Sequence, residues 1–255
     1  MENVFERLHE LDSKPNRTLI EEFNHHFTAK NPKYKLLVKD GVRPCFFSGD
    51  IETPGKIVTV SLNPAYTPGA TEEEQGNRGF KDWYSSCRSR FKQYGSDQEV
   101  HTIFKNLFKV IAPPEVWNTP EKRKYLQDHL LNLDWCYYYS EKFPSFALNE
   151  LESSLQQSIL SEWDKTLDWL IAVAQPRYIF AHGRAIQDWV NRNTDDLKTV
   201  LQLENSRHKA CKLLEGHLKG TTIPLYYLEH FINVVNQNST LGCISRYVNR
   251  AEHTA

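Results

Sequence analysis

The segment Ile57–Leu62, IVTVSL, constrains this chain more than any other. It is apolar and β-branched on both faces, so it must lie inside a sheet that is covered on each side. It stops at Asn63-Pro64, and Pro64 restricts the preceding residue to extended geometry. Similar short strands are expected at Tyr178–Ala181, followed by His182-Gly183, and at Pro224–Leu228, followed by Glu229 and His230. The run LDWCYYYSEKFP reads as a further strand ending at Ser140. Helical periodicity separates these strands, at residues 3–11, 17–30, about 119–130, about 149–174 and near 240–250, and in DQEVHTIFKNLFKVIA before Pro113-Pro114. Strands alternating with helices predict an α/β fold, a three-layer α/β/α sandwich around a central, largely parallel sheet. With no repeat or linker, residues 1–255 read as one domain, on which residues 1–44 pack as a helical extension.

Open parallel sheets bind ligands at the carboxyl ends of their strands. Asn63, Ser140, His182 and His230 are therefore expected along one edge. The polar segment from about 65 to 97 is long for a compact domain, and loops of that length more often serve function.

Thirty-one basic residues against 32 acidic ones exclude a generally basic coat for nucleic acid, leaving a local patch as the way to attract phosphates. Arg207, His208, Lys209, Lys212 and Lys219 form such a segment. The charged start MENVFERLHELDS is unlike a secretory signal, and no apolar run approaches the roughly 18 residues of a membrane span. Five scattered cysteines, none in a C-x-x-C pair, point to reduced thiols. The expectation is a cytoplasmic protein with no membrane partner, no metal and no cofactor.

Taken in order, SLNPAY, GNRGF, SEKFPS, QPRYIFAHGRAIQDW and LEHF resemble the uracil-DNA glycosylase superfamily, nearest to its thymine/mismatch-specific branch. Members of that branch carry a strand followed by Gly-Ile-Asn-Pro-Gly, then a loop containing Asn-Arg-Phe. Here SLNP is similar to the first and GNRGF to the second, and the likeness covers roughly residues 45–250. Ser61 and Ala65 stand where the branch has glycines. His230 fits the family's second motif, whereas Phe231-Ile232 does not match its small-residue wedge. These departures point away from a standard uracil substrate.

The resemblance implies a monofunctional DNA glycosylase without lyase activity. Its partner would be duplex or single-stranded DNA with a flipped base, with no obligate protein partner. Hydrolysis of an N-glycosidic bond needs a water held against an oxocarbenium-like sugar and a donor for the departing base. The resemblance assigns the water to Asn63, and His230 can donate to the base. Read from the residues alone, Asn63 equally suits an Asx turn before proline, and His230 a buried histidine satisfied by backbone. His182, before a glycine that opens a helix, fits turn geometry better than chemistry.

A flipped base needs an aromatic stack and polar partners. Tyr66 and Phe80 are the candidate faces, with Trp83 behind them, and Asn77 and Ser140 the candidate polar contacts. Arg78, Arg207, Lys209, Asn236, Asn238 and Ser239 are candidates for the DNA backbone or a partner base. The substrate class is a mismatched or modified pyrimidine, including the bulky cytosines of phage DNA, which would make this a defence enzyme. A catalytically silent module of the same fold, binding DNA, nucleotide or protein, is the alternative. A small-molecule α/β enzyme fits less well, because G-x-S-x-G, G-x-x-x-x-G-K-[ST] and G-x-G-x-x-G are all missing.

Overall fold

The computed structural model describes residues 3–38, 42–62, 64, 79–93, 102–117, 121–204, 210–229 and 238–250. Seven strands form one mixed sheet: β1 Phe47–Ser48, β2 Ile57–Ser61, β3 Leu130–Asp134, β4 Tyr178–His182, β5 Thr194–Glu204, β6 Ala210–Leu218 and β7 Pro224–Leu228. Their order is β1-β3-β2-β4-β7-β6-β5. The inner four, β3-β2-β4-β7, are parallel. The short β1 and the long β5–β6 hairpin close the two sides antiparallel.

Alternation along the strands divides the core in two. Val58, Val60, Leu131, Leu133, Ile179, Ala181, Leu225 and Tyr227 face one layer of helices. That layer comprises α1 Val4–Ser13, α2 Arg17–Thr28, α3 Phe80–Arg88, α7 Ser153–Ile159, α8 Lys165–Ala174 and α9 Gln187–Asn193. Ile57, Leu130, Tyr178, Phe180, Tyr226 and Leu228 face the other, built from α5 Thr102–Ile111, α6 Lys122–His129 and α10 Asn238–Val248, with α4 Arg90–Gln93 contributing Phe91. Helices on both faces of a sheet with a parallel centre make an α/β sandwich.

The helices start and stop for local reasons. Asn3 and Asn16 cap α1 and α2, their side-chain oxygens accepting from the amides of Phe5 and Leu19. The predicted helix over 149–174 is two helices joined by a π turn at Leu160–Asp164, which buries Trp163 and Asp164 together. It ends at Gln175, a non-glycine residue at φ 44°.

Three expectations are corrected here. The third strand ends at Asp134, not Ser140: Trp135–Tyr139 continues as an irregular segment, with Trp135 and Cys136 donating to the carbonyls of Ser61 and Leu62. The polar segment after β2 does not run to residue 97, because helix resumes at Phe80. Asn238 and Ser239 belong to the first turn of α10 rather than a loop. No described helix is long and apolar enough to cross a membrane.

Candidate active site

The chain passes from β2 outward to β3, then crosses back over β2 to β4 on its other side. Such a reversal opens a crevice at the carboxyl ends of the two strands flanking it, here β2 and β4. The carboxyl end of β4 is tied to that of β7 and packed against that of β2. The Gly183 amide donates to the Leu228 carbonyl at 3.2 Å, and the Tyr227 hydroxyl donates to the Gly183 carbonyl at 3.2 Å. Gly183 has φ 98°, and a Cβ there would lie 3.3 Å from Leu62 Cδ2. Only glycine takes that backbone without strain while letting β2 approach.

Five polar side chains share one face of the sheet at this edge: Thr59 and Ser61 from β2, Asn132 and Asp134 from β3, and His182 from β4. Sheet register pairs Thr59 with Asn132 and Ser61 with Asp134. Thr59 Oγ1 and Ser61 Oγ donate to Asn132 Oδ1 at 2.9 and 2.8 Å. Asn132 is bonded in turn to Asp134. All but Ser61 are buried. Buried polar groups are kept only where partners satisfy them, and for Thr59, Ser61, Asn132 and Asp134 the ladder supplies them internally.

The electrostatics follow from burial. Desolvation pushes the Asp134 carboxyl well above its usual range, the nearby Cys45 adds to the rise, and Arg90 and the Asn132 hydrogen bond oppose it. Asp134 therefore holds a proton more readily than a surface aspartate. Burial lowers the His182 imidazole to about 4, so it is neutral at physiological pH. Cys45, beside Asp134, moves the other way: a hydrogen bond from Cys87 brings its thiol down to about 6 against the opposing effect of burial, with help from Arg90, Tyr139 and Ser48. A charge on Cys45 thus opposes ionisation of Asp134, while the Arg90 guanidinium favours the anionic form of each.

The expected site residues fall into three groups. Asn63, Tyr66, Asn77, Arg78, Arg207, Lys209, His230 and Asn236 lie outside the described residues. Their described chain neighbours, Leu62 and Glu229, follow directly on the carboxyl ends of β2 and β7, with β4 between them. Phe80 is not an open stacking face. It is buried, 4.7 Å from His9 and 5.1 Å from Phe5 between ring centroids, and it anchors α3 to α1. Trp83 is likewise buried, against Phe80 and Phe46. Ser140 lies six residues beyond the end of β3, buried, with its hydroxyl donating to the Lys142 carbonyl at 3.0 Å. Ser239 is exposed at the start of α10.

The sequence reading did not single out Asn132 and Asp134, and it gave His182 to turn geometry, where the structure buries its side chain on this face. A signal for the first two was present: IVTVS and LLNLD each place polar residues two apart in strands otherwise apolar. Period-two polarity inside a doubly covered strand marks a face that is not ordinary core.

No protein-family model matches this sequence, and no curated protein matches it either. Among the described residues, no group of three or more histidine, cysteine or acidic side chains is placed to hold a metal.

Proposed function

We propose that this chain is a monofunctional DNA glycosylase of the uracil-DNA glycosylase type, which flips a modified or mismatched pyrimidine from DNA and hydrolyses its glycosidic bond. The observation that carries this reading is the strand order at the crevice. The chain leaves β2 through Leu62 toward Asn63 and leaves β7 through Glu229 toward His230, with one strand between. Adjacent strands are about 4.8 Å apart, so the two exits are separated by roughly 10 Å, a span that admits a pyrimidine ring. The buried ladder of Thr59, Ser61, Asn132 and Asp134 adjoins the same edge as a preorganised polar floor.

In this mechanism the Asn63 amide orders a water against C1′ of the sugar as the bond to the base lengthens. Its amide is a weak base, so acceleration comes from placing the water and from stabilising charge. His230 donates to the carbonyl oxygen of the departing base, where negative charge develops. Tyr66 stacks on the flipped ring and Asn77 bonds its edge, while Arg78, Arg207, Lys209, Asn236, Asn238 and Ser239 contact the nucleic acid around it. Phe80 and Ser140, held in the core, take no part. Ser61 and Ala65 replace glycines of the related motif, so the substrate is an unusual base, and the bulky modified cytosines of phage DNA are the class that would make this a defence enzyme.

The test is incubation of the protein with DNAs bearing different modified or mismatched pyrimidines, followed by alkali to cleave abasic sites. One of these substrates is expected to give abasic sites, and Asn63→Ala to slow their formation about 10²–10³-fold. Undiminished activity in Asn63→Ala would remove the catalytic assignment. Binding without cleavage across the whole panel would leave the catalytically silent module as the correct reading.

A further inference from the structure

Ser61 ends β2 and is the one member of the polar floor that is only half-buried. A serine hydroxyl has one proton to donate and two lone pairs with which to accept. The proton of Ser61 is already committed, because Oγ donates to Asn132 Oδ1 at 2.8 Å. Thr59 Oγ1 donates to the same oxygen at 2.9 Å, so both lone pairs of Asn132 Oδ1 are taken. The amide nitrogen of Asn132 is turned the other way, to Asp134 two residues on along the same face of β3. The carbonyls of Ser61 and Leu62 accept from the amides of Trp135 and Cys136 at 3.0 and 2.9 Å. Among the described residues, no group donates to Ser61 Oγ. The side chain that ends β2 at the crevice is therefore an oxygen that accepts and does not give. Thr59 and Asn132 are buried, so this direction is set before any ligand arrives.

We propose that Ser61 selects the base by accepting a hydrogen bond from the exocyclic amine of a 4-aminopyrimidine, which makes cytosine-type bases the substrate class and disfavours uracil and thymine. The inference rests on the reading of the crevice as a pocket for a flipped base, and it supplies a reason for one class over the other. An exocyclic amine projects from the ring and carries two N–H groups, one of which can meet Ser61 Oγ. A 4-oxo ring puts a carbonyl oxygen in the same place, lone pairs against lone pairs. Its single N–H is recessed between two carbonyl oxygens, which would meet the same acceptor. Ser61 can turn its proton toward a carbonyl only by breaking its bond to Asn132, and that leaves a buried lone pair unfilled. Loss of one such hydrogen bond corresponds to about tenfold in affinity.

The experiment titrates free bases into the full chain at neutral pH and reads dissociation constants by ligand-observed NMR, with no DNA and no cleavage. Matched pairs isolate the 4-position: cytosine against uracil, and 5-hydroxymethylcytosine against 5-hydroxymethyluracil. In each pair the amino base should bind about tenfold tighter. Ser61→Ala should bring the two together by weakening the amino base, whereas Ser61→Thr keeps the hydroxyl and should keep the preference. Asn132→Ala releases the Ser61 proton and should close the gap from the other side, by strengthening the oxo base. If Asn132→Ala does not fold, Ser61→Ala decides alone.

Equal or tighter binding of the 4-oxo bases by the wild type would overturn the inference. So would a preference that survives in Ser61→Ala, or no binding of any of the four bases. Abasic-site formation is scored separately on the DNA panel. Cleavage there, with no preference for the amino bases, would sink the inference and leave the glycosylase reading standing. A Ser61-dependent preference with no DNA cut would uphold the inference and leave the catalytically silent module as the function.

Discussion

One face of the sheet contrasts with itself along its length. At the amino ends of the parallel strands, Ile57, Leu130 and Tyr178 sit in register and pack under α5, α6 and α10. Four residues further on, the same face carries Ser61, Asp134 and His182, with Thr59 and Asn132 between. Both halves lie within the fold, but only the first gains from leaving water. A hydrogen-bonded polar group contributes little net on burial, and an unbonded one costs about 1–3 kcal/mol. The charged residue at the amino end shows the opposite use: Lys56 Nζ donates to the Gln127 and Asp128 carbonyls at 2.8 and 2.9 Å, spending its charge on the carboxyl terminus of α6. The amino half gains stability from apolar burial, whereas the carboxyl half buries polar groups that add little.

The largest expected effect tests the amino half. Leu130 is fully buried between Ile57 and the Gly49 turn, where Leu130 O would lie 2.6 Å from a Cβ on Gly49. Leu130→Ala should lower unfolding free energy by about 2–5 kcal/mol, read from the urea midpoint. A loss well under that would mean that this row is not the supporting half.

The contrast between halves also explains what could be read in the sequence. β2, β4 and β7 were legible to within a residue because they are apolar on both faces and bounded by Gly55, Pro176 and Pro224. β3 was not, since Leu130 read as the end of a helix while the aromatic run Trp135–Tyr139 has stronger strand propensity. In the fold, pairing with β2 makes Leu130 and Leu131 strand, and the aromatic rings pack in the core after the ladder ends. The β5–β6 hairpin escaped for a related reason: Leu-, Lys- and Glu-rich KLLEGHLKG favours helix locally, and pairing of β6 with β7 overrides that preference. Asn63 and His230 lie outside the described residues, and the Thr59–Asn132–Ser61 contacts cross between strands 71 to 73 residues apart, so only the period-two polarity of each strand points to them.

The second effect belongs to His182. Its folded-state pKa of about 4 lies below the usual histidine value of 6.5, so between these pH values the unfolded chain binds a proton that the folded chain refuses. The stability this position contributes is present above about pH 6.5 and is lost as pH falls toward 4. Relative to His182→Gln, the wild type should lose about 3 kcal/mol between pH 7 and pH 4 in denaturant titrations. Parallel pH curves for the two proteins would contradict the buried, neutral imidazole.

A third prediction sharpens the contrast by removing the hydroxyl–amide part of the polar floor. Thr59→Val, Ser61→Ala and Asn132→Leu made together leave no hydroxyl without its acceptor and take one hydrogen bond from Asp134, so stability should fall by about 1–2 kcal/mol. Under the proposed function, formation of abasic sites should be lost. Destabilisation as large as that of Leu130→Ala would erase the distinction between the two halves.

The effect with the opposite sign is at Asp134. Its folded-state pKa is raised, first by desolvation and then by Cys45, so its contribution to stability is full below the unfolded aspartate value and is lost as pH rises through the folded one. Arg90 and the Asn132 hydrogen bond pull against the rise, but desolvation outweighs them. Asp134→Asn mimics the neutral carboxyl in shape and charge but cannot ionise when unfolded. Compared with wild type, it should therefore be relatively more stable at pH 7 than at pH 4, the reverse of the His182→Gln comparison. The two variants measured over the same pH range separate the groups cleanly, because a general acid effect on the fold would move both curves in one direction. If Asp134→Asn instead gains on the wild type as pH falls, the carboxyl is ionised in the folded protein. Its charge would then face Arg90 directly, and Cys45 would be the group that keeps its proton.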